Sequence, residues 1–428
     1  VTDATMDLLR FATVGSVDDG KSTLIGRLLF DTRQLFDDQV DAVVTASRNR
    51  GAGEFDLSYI TDGLRAEREQ GITIDVAYRY AATPHRKFVI ADCPGHVQYT
   101  GNMATGASTA DLALVLVDAT TGLKEQTRRH VCIAALLGVD QLIVCANKMD
   151  AVDWDEAAFK KSEDEAKELA KQLNISSLKV IPISALNGDN VVERSEQAPW
   201  YSGPTVLEAL ELAPAGGWAK GHGSSSSKAF RLPVQWILRQ PGGGRHYAGM
   251  VNGGTMSVGD EIVVLPKGLR STIKGISTAD GALSEVAVGY SIGLDLADDL
   301  DVTRGDVIAA ASSPPEVVSE FSATVCWFTD QPLTSGTRLR LKHTTKVTPA
   351  RVTAIDGRVD VTTLGLDSTD QLVANDIGVV QIKTADPIAV DPYHRNRITG
   401  SFVLIDELTN ATVAAGMVGR PAFAAETS

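Results

Sequence analysis

The chain has 428 residues, 43% of them apolar and 22% charged, and a formal net charge of −14 at pH 7. That length exceeds one ordinary domain and predicts two or three, while the apolar content excludes wholesale disorder. The acidic balance argues against nucleic acid as the main partner, because nucleic acid needs a basic face. No apolar run approaches the roughly 18 residues that span a bilayer, so no membrane is expected. The first fifteen residues show no basic stretch followed by an apolar core, so no secretory leader is expected. Cys93, Cys132, Cys145 and Cys326 stand singly in apolar segments. They read as reduced, buried thiols of a cytoplasmic protein.

In chain order, residues 10–213 alternate strand and helix signals. Phe11–Gly15 is a short apolar strand and Lys21–Phe30 a helix. Lys87–Ala91, Leu112–Val117, Leu142–Ala146 and Lys179–Ile183 are continuously apolar, as strands of a parallel sheet covered on both faces are. Helices are expected at Gln126–Leu137, Asp155–Leu173 and Thr205–Leu212. The pattern predicts a doubly wound α/β domain over 1–215. The glycine- and serine-rich stretch 216–228 reads as a linker. Phe230–Leu238, Tyr247–Val251, Glu261–Leu265, Thr272–Ile276, Ser291–Leu296 and Asp306–Ala309 are short strands between glycine turns, which predicts a β-barrel over 229–315. After Ser312-Ser313-Pro314-Pro315, the runs Phe321–Phe328, Gly336–His343, Thr345–Ile355, Asp376–Thr384 and Gly400–Asp406 predict a second barrel over 316–428. The fold class is therefore multidomain, α/β followed by all-β.

Gly15-Ser16-Val17-Asp18-Asp19-Gly20-Lys21-Ser22 matches G-x-x-x-x-G-K-[ST] between a strand and a helix, with Thr23 next. Its glycines let backbone N–H groups wrap an anion at a helix N-terminus. Lys21 is placed to reach the β- and γ-phosphates, and Ser22 to ligate Mg²⁺. Asp18 and Asp19 bring negative charge into a phosphate loop. They either orient the loop, hold a cation, or are solvated turn residues.

Asn147-Lys148-Met149-Asp150 follows an apolar strand and fits guanine. The Asp150 carboxylate accepts from guanine N1–H and its 2-amino group, whereas adenine would leave it unpaired, a difference worth several powers of ten. Asn147 ties neighbouring loops and the Lys148 stem packs over the base. Ser184-Ala185-Leu186 offers a backbone N–H to guanine O6. Asp92-Cys93-Pro94-Gly95 is a D-x-x-G: Asp92 would hold Mg²⁺ through water, and the Gly95 N–H would meet the γ-phosphate. Thr73 offers a further hydroxyl to the ion, so that losing the γ-phosphate releases both loops. His96, one residue past Gly95, is placed to orient the attacking water, or else caps the following helix.

These five elements in this order resemble the translation-factor class of GTPases, typified by elongation factor Tu. The resemblance implies a G domain with two β-barrels, His96 as the hydrolytic residue, Val17 in a hydrophobic gate that restrains it, and slow turnover until a partner repositions the ring. The text at 55–80, at 91–113 (ADCPGHVQYTGNMATGASTADLA) and at 126–138 (QTRRHVCIAALLG) resembles more closely the GTPase subunit of sulfate adenylyltransferase, as do RLPVQWILRQ, YAGMVNGG and ATVAAGMV in the barrels. That resemblance covers nearly the whole chain. It implies GTP and Mg²⁺ as ligands and a partner catalytic subunit that converts ATP and sulfate to adenosine 5′-phosphosulfate and pyrophosphate. In some relatives an adenosine-phosphosulfate kinase domain follows with its own phosphate loop; this sequence holds one such loop, so adenylyl transfer is expected on another chain.

A tRNA-delivering elongation factor shares every G motif and is the rival reading. It needs basic and aromatic clusters on the barrels, and the best, Arg338–His343, alternates like a solvated strand face. Arg128-Arg129-His130 reads as surface or switch-adjacent scaffold, Trp200-Tyr201 as loop packing, and Asp298, Asp299 and Asp301 as an exposed acidic turn.

Overall fold

The computed structural model describes residues 7–34, 73, 75–216, 229–239 and 244–421. Most of the 55–80 text and nearly all of the 216–228 linker lie outside them. The chain forms two compact units, one of residues 1–216 with Val361–Leu364 and one of the remaining residues.

The first unit is built on six strands: β1 (Leu8–Val14), β2 (Ala77–Ala82), β3 (Lys87–Asp92), β4 (Leu112–Asp118), β5 (Gln141–Asn147) and β6 (Ser177–Pro182). Their order is β2-β3-β1-β4-β5-β6, parallel except for the edge strand β2. Every residue of β4 and β5 is buried, which is why both read as unbroken apolar runs. Strand β2 was missed in the sequence: AYRYAA lies at an edge and exposes Tyr78 and Tyr80.

Among the described residues this unit has five α-helices: α1 (Lys21–Asp31), α2 (Thr100–Ala107), α3 (Glu125–Leu136), α4 (Glu156–Gln172) and α5 (Val206–Leu212). Leu24, Ile25, Leu28 and Leu29 of α1 share a core with Phe11, Leu112, Leu114, Leu116, Val206 and Leu210. Ala113, Val115 and Val117 alternate with those β4 leucines and so face the opposite side, where α2 and α3 meet β1, β3 and β4. Local chemistry sets the ends. Asp155 caps α4 by accepting from Ala157 N and Ala158 N, and Thr205 with Glu208 forms a capping box on α5. Helix α1 starts at Gly20 with no side-chain cap, which leaves its first N–H groups facing the loop before it.

The second unit holds two closed barrels. In the first, the strands run in the order Arg231–Pro233, Val307–Ala310, Glu261–Leu265, Leu269–Thr278, Ser291–Leu296 and Arg245–Met250. Reciprocal bonds of 2.7 Å between Arg231 and Asn252 close the ring. The expected single strand Phe230–Leu238 is two pieces, Arg231–Pro233 and Trp236–Arg239. Pro233 has no N–H to continue the ladder. The chain then changes partner, Val234 N donating to Asp306 O and Gln235 N to Ala248 O. The second barrel closes through the hairpin of Arg338–His343 and Lys346–Val359. Leu339, Leu341 and His343 point inward there, so the alternating basic run is a strand face as expected. Thr412–Val418 is a further strand of this barrel that the strand signals did not mark.

The barrels are locked to each other by a buried ion pair. Arg231 Nε and Nη2 each lie 2.9 Å from an Asp391 carboxylate oxygen. Thr399 Oγ1 donates to the same carboxylate at 2.6 Å, and the two charged side chains are only 5% and 10% exposed. Val263, Leu265, Val307 and Ala309 of the first barrel pack with Ala389 of the second beside it. Arg231→Met strands a buried carboxylate. It is expected to lower the unfolding free energy by about 3–5 kcal/mol in urea titration, whereas Arg231→Met with Asp391→Leu should recover most of that loss.

Candidate functional site

The carboxyl ends of five neighbouring parallel strands carry every sequence motif that falls on described residues, apart from Thr73. Strand β1 ends in the phosphate loop, β3 in Asp92–His96, β4 in Asp118, β5 in Asn147–Asp150, and β6 leads to Ser184–Leu186. The chain reverses its direction of winding between β3 and β4, on either side of β1. A crevice at such a switch point is where open α/β sheets bind ligands.

Lys21 is buried and donates to Gly15 O at 3.1 Å and Ser16 O at 2.8 Å, which holds its amine inside the loop. Burial lowers its pKa, opposed by the nearby carboxylates of Asp92 first and then Asp19. Gly20 has φ 93°, and a Cβ there would collide with the Asn147 amide nitrogen. Gly95 is equally constrained: its Cβ would meet Lys21 Nζ, with Ser16 C at 3.0 Å. The D-x-x-G loop therefore lies directly against the phosphate loop.

The two aspartates separate. Asp18 is exposed at φ 62°, a turn residue. Asp19 is 1% exposed and orients the loop, accepting from Ser16 N at 2.8 Å, Lys124 Nζ at 2.7 Å and Thr127 Oγ1 at 3.3 Å. Val17 is half-buried, as are Ser22 and Thr23 at the start of α1.

Asn147 performs the tying role expected of it. Its Nδ2 donates to Asp19 O at 2.8 Å and its Oδ1 accepts from Ala185 N at 2.9 Å. The Ala185 N–H is thus engaged within the protein, which leaves Leu186 as the other candidate backbone donor in this segment. Ser184 is buried, and its Oγ accepts from Asn187 N at 3.3 Å. Arg27 of α1 donates to Ala185 O at 3.3 Å and also to Leu186 O, fixing the loop from behind. Asp150 is half-buried in the turn Met149–Val152.

Lys148 has φ 63° and its Nζ lies 2.8 Å from Asp118 Oδ2. Asp118 also accepts from Thr120 N at 2.9 Å and Thr120 Oγ1 at 2.6 Å. Burial by itself would raise the Asp118 pKa, but the bonds from Lys148 and Thr120 outweigh it and the net shift is downward. Asp92 is buried at the end of β3 and accepts from Thr13 Oγ1 at 3.1 Å; that hydroxyl also takes Cys93 N at 3.3 Å. His96 stands at the N-cap position of the turn Val97–Tyr99, half-buried, with no side-chain capping bond. Its ring meets Tyr99 edge-on at 6.4 Å. Thr73 is half-buried, and among the described residues no hydrogen bond joins it to the phosphate loop.

The sequence reading missed Thr13, Arg27, Asp118, Lys124 and Thr127. Asp118 at the end of an apolar strand was the one legible hint. His130, read as surface or switch-adjacent scaffold, is fully buried in α3 beside Gly15 and Lys21 of the phosphate loop, and burial pushes its pKa down to about 3. The reason is position: on α3, His130 falls three residues after the buried Thr127, on the inward face. Trp200 and Tyr201 do pack a loop, against Phe159. The acidic turn is exposed but paired, Asp298 with Ser271, Asp299 with Arg245 and Asp301 with Lys267. All four cysteines are free and buried.

Two family models match the chain: the elongation factor Tu GTP binding domain over residues 6–214, and the GTP-eEF1A C-terminal domain-like family over residues 320–419. The chain is 50% identical over 419 residues to the bifunctional enzyme CysN/CysC of Mycobacterium tuberculosis, covering 96% of this chain and 67% of that one. It is 46% identical over 417 residues to sulfate adenylyltransferase subunit 1 of Laribacter hongkongensis, covering 97% and 85%. It is 47% identical over 413 residues to the same subunit of Teredinibacter turnerae, covering 96% and 87%. The chain belongs to the sulfate adenylyltransferase subunit 1 family. Its first unit is a guanine-nucleotide-binding domain of the elongation factor Tu type, and β-barrels follow it. Among the described residues no helix is long and apolar enough to cross a membrane.

The depressed pKa of Asp118 has a measurable sign. Its contribution is present above the ordinary value of 3.8 and is lost as pH falls through the lower folded value. The unfolding midpoint of Asp118→Asn should sit below that of the unsubstituted chain by a constant margin near neutrality. The margin should shrink below about pH 4, as followed by circular dichroism.

Proposed function

We propose that this chain hydrolyses GTP as the GTPase subunit of a sulfate adenylyltransferase, and that turnover drives formation of adenosine 5′-phosphosulfate and pyrophosphate from ATP and sulfate on a partner catalytic subunit. The observation that carries this is identity of 46–50% along almost the entire chain to relatives of that name. The phosphate loop and guanine segment, joined through one asparagine, support it.

In this reading Gly15–Thr23 wraps the phosphates and Lys21 supplies the buried cation. Asp150 accepts from the guanine edge, Lys148 is steadied over the base by Asp118, and Leu186 N–H addresses O6. The Ser22 hydroxyl and the buried Asp92 carboxylate form a hard-oxygen donor set of the kind Mg²⁺ takes. Those two residues, with Thr73 as the third candidate, would hold the ion, which when bound spreads the negative charge of the β- and γ-phosphates. His96, next to Gly95 and therefore near the phosphate loop, orients a water for attack on the γ-phosphorus; the P–O bond to GDP breaks and phosphate leaves. The half-buried Val17 is the gate residue that restrains the ring.

The division into a GTP-binding module (1–215), linker (216–228) and barrels (229–315 and 316–428) goes with this reading. The bifunctional relative makes an adenosine-phosphosulfate kinase, fused or separate, a further candidate partner. Four buried free thiols support a cytoplasmic setting.

GTP turnover should be slow for the chain alone and strongly stimulated by the catalytic subunit with ATP and sulfate. Absence of stimulation with GTP bound would sink the coupling and direct the test to tRNA. Lys21→Ala should abolish measurable GTP binding in calorimetric titration. Asp150→Asn should shift preference from GTP to XTP, and equal loss for both would remove Asp150 from the base site. His96→Ala should retain binding and lose stimulated turnover by about 10²-fold or more.

A further inference from the structure

The phosphate loop encloses a carboxylate. Asp19 is 1% exposed inside a segment built to receive an anion. We propose that Lys124 and Thr127 are positioning residues for the nucleotide: acting through Asp19, they hold the phosphate loop in its binding shape and cancel the charge that Asp19 would otherwise present to the phosphates. This deepens the guanine-nucleotide reading above and rests on it.

The geometry assigns each bond a purpose. Asp19 Oδ2 takes the Ser16 N–H at 2.8 Å, which closes the first turn of the loop on itself. Thr127, in the first turn of α3, bonds Ser16 Oγ at 2.8 Å and Asp19 Oδ2 at 3.3 Å. Lys124, just before that helix, meets Asp19 Oδ1 at 2.7 Å. A carboxylate can close a turn in this way, but its charge then repels any phosphate nearby. Lys21 cannot serve both as its counter-ion and as the phosphate's partner. Lys124, 37% exposed, supplies the second cation and leaves Lys21 for the ligand.

Lys124 is itself held. Leu123 N donates to Glu165 Oε2 of α4 at 2.9 Å, and Gly122 N to Asp118 O at 2.8 Å. Gly122 has φ 78°, and a Cβ there would reach within 3.0 Å of Glu165 Oε2. The segment from Asp118 to Thr127 thus steadies both halves of the site, Lys148 through Asp118 and the phosphate loop through Lys124 and Thr127.

The test is calorimetric titration of GTP and GDP into the chain and its variants, with thermal unfolding of each variant recorded without nucleotide. Lys124→Met should weaken both nucleotides by about tenfold or more, because it leaves the Asp19 charge uncompensated. Lys124→Arg should restore binding. Adding Asp19→Asn to Lys124→Met should also restore it, since the amide oxygen still accepts the Ser16 N–H without a charge. Thr127→Val should weaken binding by about threefold to tenfold. Wild-type affinity in Lys124→Met would overturn the proposal. So would a loss that Asp19→Asn does not relieve, since a merely structural defect would persist in the double variant. If the unsubstituted chain failed to bind GTP at all, the nucleotide reading would fall first and take this one with it.

Discussion

The side-chain amide of Asn147 is the interaction on which the site depends. One amide gives two bonds of opposite sense, a donor to Asp19 O and an acceptor for Ala185 N. It thereby sets the spacing between the loop after β1, the turn after β5 and the loop after β6. A ligand with phosphates at one end and a purine at the other needs that spacing fixed before it binds, because ordering loops at the moment of binding costs affinity. The absence of a side chain at Gly20 is part of the same arrangement, since the asparagine amide occupies the space a Cβ would take.

Charge is managed in the phosphate loop rather than simply made positive. Asp18, Asp19 and Asp92 stand near Lys21 and act on its ammonium. Burial disfavours the charged amine while those carboxylates favour it. The acid groups of the loop thus partly offset the burial that lowers its lysine's pKa, and one of them closes its turn. A second lysine from a distant segment offsets the buried acid.

The two barrels show the complementary use of a buried ion pair. Arg231 and Asp391 are desolvated, so their pairing contributes little net stability compared with apolar packing, but neither can be left alone. Thr399 and the carbonyl of Phe230 satisfy the remaining directions. Such a pair accepts one relative placement of its two backbones. That makes the second unit one body rather than two beads.

What the sequence determined was the local chemistry. Strand, glycine loop and helix follow one another at 8–31 because alternation, turn chemistry and helix start are neighbour effects. The buried parallel strands were legible because both faces of each are covered, so the apolar run has no gaps. Half-exposed β2 gave no such run and was missed. Asp18 and Asp19 are adjacent and chemically identical, and nothing local distinguishes them. Only the tertiary structure turns one to water and seats the other beneath Thr127 and Lys124, more than a hundred residues away. His130 stayed open between surface and site scaffold for the same reason: only the helix packed onto the sheet decides which way a histidine beside two arginines faces. The sequence determined which groups the site has at each strand end. The fold alone decided which of them touch, because contact between distant segments is set by register and packing, and neither is written in any one stretch of chain.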